Sequence, residues 1–500
     1  MRFELTHSGS SPPPPRRRFA AVQRITGILL MLFSATMLPP ILVDLWYGGD
    51  TMLAFLESMG LSLSVGALVW WPVRAHRSDL KVRDGFLVVV LFWAVLSAFG
   101  AVPLLATHVG WHSYTDALFE AVSGLTTTGA TTIAAGLDDM PRAILFYRAQ
   151  LHWLGGMGII VLAVAVLPML GVGGMQLYKA ETPGPMKDNK LTPRIMHSAR
   201  ALWAVYVILT LACGLTYYLL GMSGFDAICH AMSTLSTGGF STHDASIGYY
   251  HSLGIEIAAM VFMLIGASNF ALHYLAWSSR SLGLYWRNTE FRAFLTIYAL
   301  IGTTVCATLY FGASYPDLAS SVRLGFFTVV AFGTSTGFSI ANPSGWPLFA
   351  PLLVVLITFF GGCAGGTGGG VKVIRLVLFI KQAGREIRHL IHPNAEVPIK
   401  VENKIVPDAV VYAIGGFFSV YIGATILLTC IMIGTGLDAL TALSAVAGAI
   451  NNTGPGLNSV VANVASVTAF GKWVLIVAML IGRLEVFTLL VLFTPAFWRR

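Results

Sequence analysis

What most constrains this chain is a recurrence of apolar runs about 20 residues long, the length a helix needs to cross a hydrocarbon layer of roughly 30 Å. Ten such runs fall at 20 to 43, 51 to 73, 85 to 105, 147 to 170, 201 to 222, 253 to 278, 291 to 312, 346 to 380, 408 to 433 and 472 to 497. An all-α polytopic membrane protein follows, and an even number of crossings puts both chain ends on one side. Only 11% of the 500 residues are charged and 56% are hydrophobic, against about 25% charged in soluble domains. The net charge of +8 is therefore read by position rather than as a nucleic-acid footprint.

Lys and Arg gather in the leader SPPPPRRR (11 to 18), in 73 to 84, in 171 to 200, at Arg280 and Arg287, in 381 to 404 and at Arg499 and Arg500. The positive-inside rule places these segments and both termini in the cytoplasm, with Arg142 and Lys472 the main exceptions on the outer side. The leader, residues 1 to 19, is expected to be disordered. The apolar run after it lacks a small-residue cleavage site and reads as a retained span. The five cysteines lie singly in or beside apolar stretches with no CxxC, and read as small buried hydrophobes.

On the charge-poor side lie four apolar segments too short to cross, each ending in a polar, glycine-containing turn. They are DALFEAVSGLTTTGA (116 to 130), DAICHAMSTLSTGGF (226 to 240), RLGFFTVVAFGTSTGF (323 to 338) and DALTALSAVAGAINNTGPG (438 to 456). The first two align without a gap from Asp116 and Asp226 to Gly129 and Gly239. The Asp-Ala-Leu opening recurs at Asp438, where the segment is three residues longer. With Gly129, Gly239, Gly337 and Gly454 equivalent, the separations are 110, 98 and 117 residues, an internal repeat of span, short helix, extended turn and span. One TTTG would be ordinary in a membrane helix, where Ser, Thr and Gly allow close packing. Four copies at the same place on the same side require another reason.

Extended backbone at membrane depth is tolerated only where it is buried in protein or lines a wet cavity. Four such turns about a pseudo-fourfold axis aim rings of carbonyl oxygens at a central pore, and carbonyl rings replace the hydration shell of a potassium ion. Glycine allows the backbone angles this needs, and the preceding threonines orient or supplement the cage. The short helices run inward with the negative ends of their dipoles toward the pore centre, which favours a cation.

The turns TTTGA, STGGF, TSTGF and NNTGPG resemble those of the Trk/Ktr/HKT superfamily of potassium transporters, within it the Trk-type membrane subunit, over residues 85 to 500. Residues 20 to 84 resemble the extra N-terminal helix pair of that branch. The resemblance implies four helix–pore-helix–helix repeats around the pore. Repeat one is 85 to 200 with filter 124 to 130, and repeat two is 201 to 290 with filter 234 to 240. Repeat three is 291 to 407 with filter 333 to 338 and a gate loop at 361 to 372, and repeat four is 408 to 500 with filter 450 to 456. It implies potassium at Thr127, Thr128, Gly129, Thr237, Gly238, Gly239, Ser335, Thr336, Gly337, Asn452, Thr453 and Gly454. It also implies a lipid-embedded homodimer in the cell inner membrane, gated by a cytosolic TrkA-like ring that carries the nucleotide, with no covalent cofactor on this chain. Family members with serine at the first filter glycine lean toward sodium, so Gly129 favours potassium. No TVGYG is present, which implies fewer stacked sites than in a tetrameric channel, and Pro455 leaves Gly454 and Gly456 both eligible as the fourth glycine.

The run GGCAGGTGGGVK interrupts the eighth span with Gly361, Gly362, Gly365, Gly366, Gly368, Gly369 and Gly370. No continuous helix survives that many glycines, and a packing face would repeat every fourth residue rather than run contiguously. The expectation is an irregular loop beneath the filter that obstructs the pore, with Lys372 near its cytoplasmic end, where the resembled family has a gating loop. Arg483 lies well inside the last span, where arginine is expensive and faces a cavity or partner. It is expected to contact the glycine loop rather than Glu485, since residues two apart point to different helix faces. Asn269 and His273 either line the pore or bond between helices, and Glu120, Glu256 and His230 receive no role.

GTSTG at 333 to 337 formally matches a nucleophile motif, but that motif needs a preceding strand and acid and histidine partners. An intramembrane hydrolase using Ser335 is accordingly the distant alternative. A sodium-conducting or sodium- or proton-coupled carrier of the same fold is the near one.

Overall fold

A computed structural model describes residues 19–75, 82–111, 113–161, 191–347, 349–402 and 404–498. The basic leader and most of the 171 to 200 segment lie outside these. Among the described residues the β-structure is one small hairpin, Lys400–Val401 against Lys404–Ile405. The rest is helices and connecting turns. Among the described residues six helices are long and apolar enough to cross a membrane: Ala20–Tyr47, Met52–Val73, Asp84–Ala106, Arg200–Leu219, Thr289–Phe311 and Asp408–Gly434.

The N-terminal pair crosses tightly because Gly27 faces Gly66: a Cβ on Gly27 would stand 2.8 Å from the Gly66 carbonyl oxygen. It docks on the helix Arg142–Val161 through an amide bond from Gln150 to the Thr36 carbonyl (2.9 Å) and an edge contact of Phe55 with Tyr147.

Three expected spans are broken. The span at 253 to 278 is two helices, Leu253–Ala267 and Phe270–Ser279, bent by 97°. Asn269 caps the second half, its side chain accepting from the amides of Ala271 (2.8 Å) and Leu272 (3.3 Å). The eighth span is Ala350–Phe360, the glycine segment, then an amphipathic helix Val373–Ile391 that runs well past 380. The last span stops at Arg483, passes through left-handed Glu485 and Val486, and resumes as Phe487–Phe493.

Four short helices enter the centre: Tyr114–Leu125, Gly224–Leu235, Leu318–Gly333 and Ala439–Ile450. Their N-caps are Ser113, Ser223, Asp317 and Asp438, each side chain accepting from an amide three residues on. This corrects two expectations. The third short helix begins at Leu318, five residues before Arg323. Asp438 is a cap, whereas Asp116 and Asp226 sit inside the first turn, so the equivalent of Asp438 is Ser113 or Ser223. From cap to glycine the distance is then 16 residues in three repeats (Ser113 to Gly129, Ser223 to Gly239, Asp438 to Gly454), and the apparent insertion in the fourth disappears.

Candidate functional site

The four short helices end identically. In each, three amides fold back onto the last turn: Thr126 to Val122, Thr127 to Gly124 and Thr128 to Ser123 in the first, with Ser236 to Gly238, Thr334 to Thr336 and Asn451 to Thr453 repeating the pattern at 2.8–3.3 Å. The residue that turns the chain is left-handed every time: Thr127, Thr237, Ser335 and Asn452 have φ of 52°, 52°, 60° and 52°. A six-to-one bond across a left-handed residue is the usual way to end a helix, with glycine the usual occupant. Threonine and serine there are strained, and such strain gathers at functional sites.

Two residues further on, Gly129, Gly239, Gly337 and Gly454 again have positive φ, 81°, 89°, 75° and 90°. They are required by contact as well as by angle. A Cβ on Gly129 would collide with the carbonyl oxygen of Gly238, one on Gly239 with that of Thr336, one on Gly337 with that of Thr453, and one on Gly454 with that of Thr128, the last at 2.5 Å. The order closes on itself, so the four turns form one ring, each glycine against the carbonyl of the residue before the next glycine. Gly454 rather than Gly456 occupies the fourth place: Gly456 instead donates to Val460 and has no left-handed φ.

Among the described residues, no carbonyl of Thr127 to Gly129, Thr237 to Gly239, Ser335 to Gly337 or Asn452 to Gly454 accepts a backbone or side-chain hydrogen bond. Unpaired buried carbonyls in this number are rare in folded proteins. The hydroxyls of Thr128 and Thr336 turn away to Thr126 and Thr334, at 2.7 and 2.8 Å. Behind the first turn a buried Glu120–Arg148 pair (2.9 Å) braces the wall, Glu120 also accepting from Thr131 and Thr132. His152 stacks on Phe240 and packs against Gly238, where any side chain would strike its ring.

The glycine segment lies directly against the ring. Gly369 donates to the Ser335 hydroxyl (2.6 Å), and Thr367 donates its hydroxyl to the carbonyls of Leu235 (2.9 Å) and Gly266 (3.0 Å). The amides of Cys363 and Thr367 bond the carbonyls of Ala267 and Gly266, which are the groups freed by the break in the sixth span. Arg483 is 4% exposed and donates to the carbonyls of Thr367 (3.1 Å) and Gly155 (3.2 Å). Glu485 pairs instead with Arg375 (2.6 Å), and Lys372 reaches the Gly368 carbonyl. Gly361, Gly365 and Gly370 are left-handed, Gly362 accepts from Val373, and Gly366 packs on Ala267. A cavity of about 70 Å³ opens beside the loop among Gly366, Lys372, Tyr421, Asn452, Arg483 and Glu485.

Sequence reasoning missed Glu290. Buried at the start of the seventh span, its Oε1 accepts from Ala364 (2.7 Å) and Ile374 (3.2 Å), one amide near each end of the glycine segment. The available signal was an acid beside an apolar run with no partner in its own helix. Asn269 is a cap, and His273 bonds Tyr285 and the Ile265 carbonyl. Glu256 pairs with Arg323, and His230 bridges the Asp226 carbonyl and Ser241. No disulfide joins the five cysteines; four are buried and Cys430 is exposed.

Beyond the turns His243 clasps two distant segments, 2.5 Å from Asp138 and 3.6 Å from Asp226. Burial alone would lower its pKa, but the hydrogen bonds to Asp226 and Asp138 outweigh that and raise it. The same bond holds the Asp138 carboxyl below its ordinary range.

Comparison with known proteins agrees with this geometry. The TrkH family model, described as cation transport protein, matches residues 52–500. The Trk system potassium uptake protein TrkH of Salmonella typhimurium is 50% identical over 481 residues, covering 96% of this chain and 99% of that protein. TrkG of Escherichia coli, another Trk system potassium uptake protein, is 40% identical over 478 residues, covering 96% and 98%. The crystal structure of the potassium transporter TrkH from Vibrio parahaemolyticus superposes with a TM-score of 0.89 at 48% identity, covering 96% of this chain and 100% of that one. These are transporters, not enzymes, and the hydrolase reading of Ser335 falls with them. The chain belongs to the TrkH family of cation transport proteins, and its fold is that of a polytopic helical membrane protein.

Proposed function

We propose that this chain takes up potassium through a channel-like pore whose filter is the ring of turns at Thr127–Gly129, Thr237–Gly239, Ser335–Gly337 and Asn452–Gly454. The observation that carries the reading is the set of unpaired backbone carbonyls in a closed four-part ring. Such groups are costly unless a cation or water satisfies them, and potassium is the ion whose hydration shell carbonyl rings replace. The names of the relatives, potassium uptake proteins, support the same ion.

Gly361 to Lys372, with Arg483, acts as the gate. The segment lies against the inner side of the ring, and Arg483 adds a positive charge on the cation path. The four repeats, 85 to 200, 201 to 290, 291 to 407 and 408 to 500, are the units that build the pore. Control from outside the chain is required, since an unregulated potassium path would collapse the membrane potential. A cytosolic nucleotide-binding ring docks on the basic loops 171 to 200 and 381 to 407, and the chain works as a homodimer in the inner membrane with both termini cytoplasmic. Proteoliposomes with separately imposed potassium, sodium and proton gradients test the function. Potassium flux that exceeds sodium flux and needs no proton gradient is expected, whereas flux that follows the sodium or proton gradient would replace this reading by the coupled carrier.

A further inference from the structure

On the outer side a groove of about 500 Å³ runs between the N-terminal helix pair and the second short helix, walled by Leu42, Trp46, Tyr47, Arg142, Phe225 and Ile228. Its walls are apolar and face outward: Trp46 is 83% exposed, Leu42 64% and Ile228 51%. At its rim the guanidinium of Arg142 lies over the Tyr47 ring at 4.1 Å and is 5.7 Å from that of Phe225, and those two rings meet edge to face.

The charge at that rim is uncompensated. Among the described residues, the other outer-side cations each hold a carboxylate: Arg148 with Glu120 at 2.9 Å, Arg323 with Glu256 at 2.5 Å and Lys472 with Asp116 at 2.8 Å. Arg142 forms no such pair. It stands at the start of its helix, level with Tyr47 at the end of the preceding outward run, which is the depth of lipid headgroups. A guanidinium held flat by aromatic rings presents its fork already ordered, and that fork matches a phosphate.

We propose that this groove binds an anionic glycerophospholipid of the outer leaflet, with its phosphate on Arg142 and an acyl chain along Leu42, Trp46 and Ile228. A net negative headgroup is favoured over a zwitterionic one because, among the described residues, no carboxylate lines the groove to hold an ammonium. Ser223 and Asp226 are committed to one another, and Asp226 also holds Thr242. The bound lipid would tie the N-terminal pair to the repeats that build the pore.

The test is native mass spectrometry of the purified full chain equilibrated with equimolar phosphatidylglycerol and phosphatidylethanolamine. Wild type is expected to retain phosphatidylglycerol preferentially, Arg142→Gln to lower the retained ratio by about fivefold, the effect of one basic side chain at a charged interface, and Arg142→Lys to lower it less. An unchanged ratio in folded Arg142→Gln overturns the proposal. A readout that needs no Arg142 variant is quenching by brominated lipid, taking the difference between wild type and Trp46→Phe. Stronger quenching of Trp46 by brominated phosphatidylglycerol than by brominated phosphatidylethanolamine is expected. Equal quenching, or protection of Trp46 from both lipids by a second copy of the chain, overturns it.

Discussion

Replacing Gly129 with serine places a side chain where two repeats touch. Its Cβ would stand about 1 Å inside the 3.0 Å that real Cβ atoms keep from the Gly238 carbonyl oxygen. That carbonyl must withdraw or the first turn must move. The φ of 81° adds a left-handed penalty of roughly 1–2 kcal/mol, and the overlap adds about 1–3 kcal/mol. A contact between a polar group and a full charge contributes roughly 1.5–3 kcal/mol, so weakening one such contact in the ring is expected to lower the potassium-to-sodium uptake ratio by about tenfold. Gly136→Ala is the matched control: Gly136 is also left-handed, φ 98°, but no atom lies within 4 Å of its would-be Cβ. It carries the backbone penalty without the collision and should leave the ratio unchanged. Uptake of both ions by proteoliposomes containing each variant, normalised to folded protein, makes the comparison. A wild-type ratio in folded Gly129→Ser, or the same loss in Gly136→Ala, would refute the reasoning.

Deleting Gly365 to Gly369 should raise potassium flux and make it less dependent on the cytosolic partner, as should Arg483→Ala, which removes a tether on Thr367; reduced flux through folded deletion protein would make the segment part of the conduction path. Glu290→Ala frees both ends of that segment and leaves two buried amides unmet, which should cost about 2–4 kcal/mol and raise partner-independent flux, whereas Glu290→Gln keeps one carbonyl acceptor and should be milder in thermal unfolding. His243 has a raised pKa, so its clasp contributes fully below the ordinary value of 6.5 and is lost as pH rises through the raised value. The difference in thermal midpoint between wild type and His243→Gln should be largest near pH 6 and shrink as pH rises above 6.5 through the raised value. A difference independent of pH would assign His243 to packing alone.

The ring was legible because it is written four times. Gly129, Gly239 and Gly337 align with no structure in hand, whereas Pro455 leaves Gly454 and Gly456 both eligible for the fourth place until the backbone angles separate them, and the irregular glycine segment follows from propensity alone. The capping pattern misled: Asp-Ala-Leu looks the same whether Asp is the cap, as at Asp438, or sits inside the first turn behind a capping serine, as at Asp116. Only the backbone separates the two. The break in the sixth span was hidden for another reason. Residues 253 to 278 are apolar enough to cross in one piece, and the carbonyls of Gly266 and Ala267 leave the helix because the glycine segment, about a hundred residues later, supplies their donors. Asn269 is a cap signal inside an apolar run, and from sequence alone it reads equally as a pore residue or as a bond between helices. The left-handed pair Glu485 and Val486 has no local signature at all, since neither residue type favours that conformation.

The most direct measurement is anomalous diffraction from crystals of the active protein in which potassium is replaced by rubidium or thallium. A carbonyl filter requires a peak on the pseudo-fourfold axis, shared by the carbonyls of Thr128, Gly238, Thr336 and Thr453 and lost in Gly129→Ser. Strong anomalous density elsewhere along the path, with none inside this ring, would contradict it.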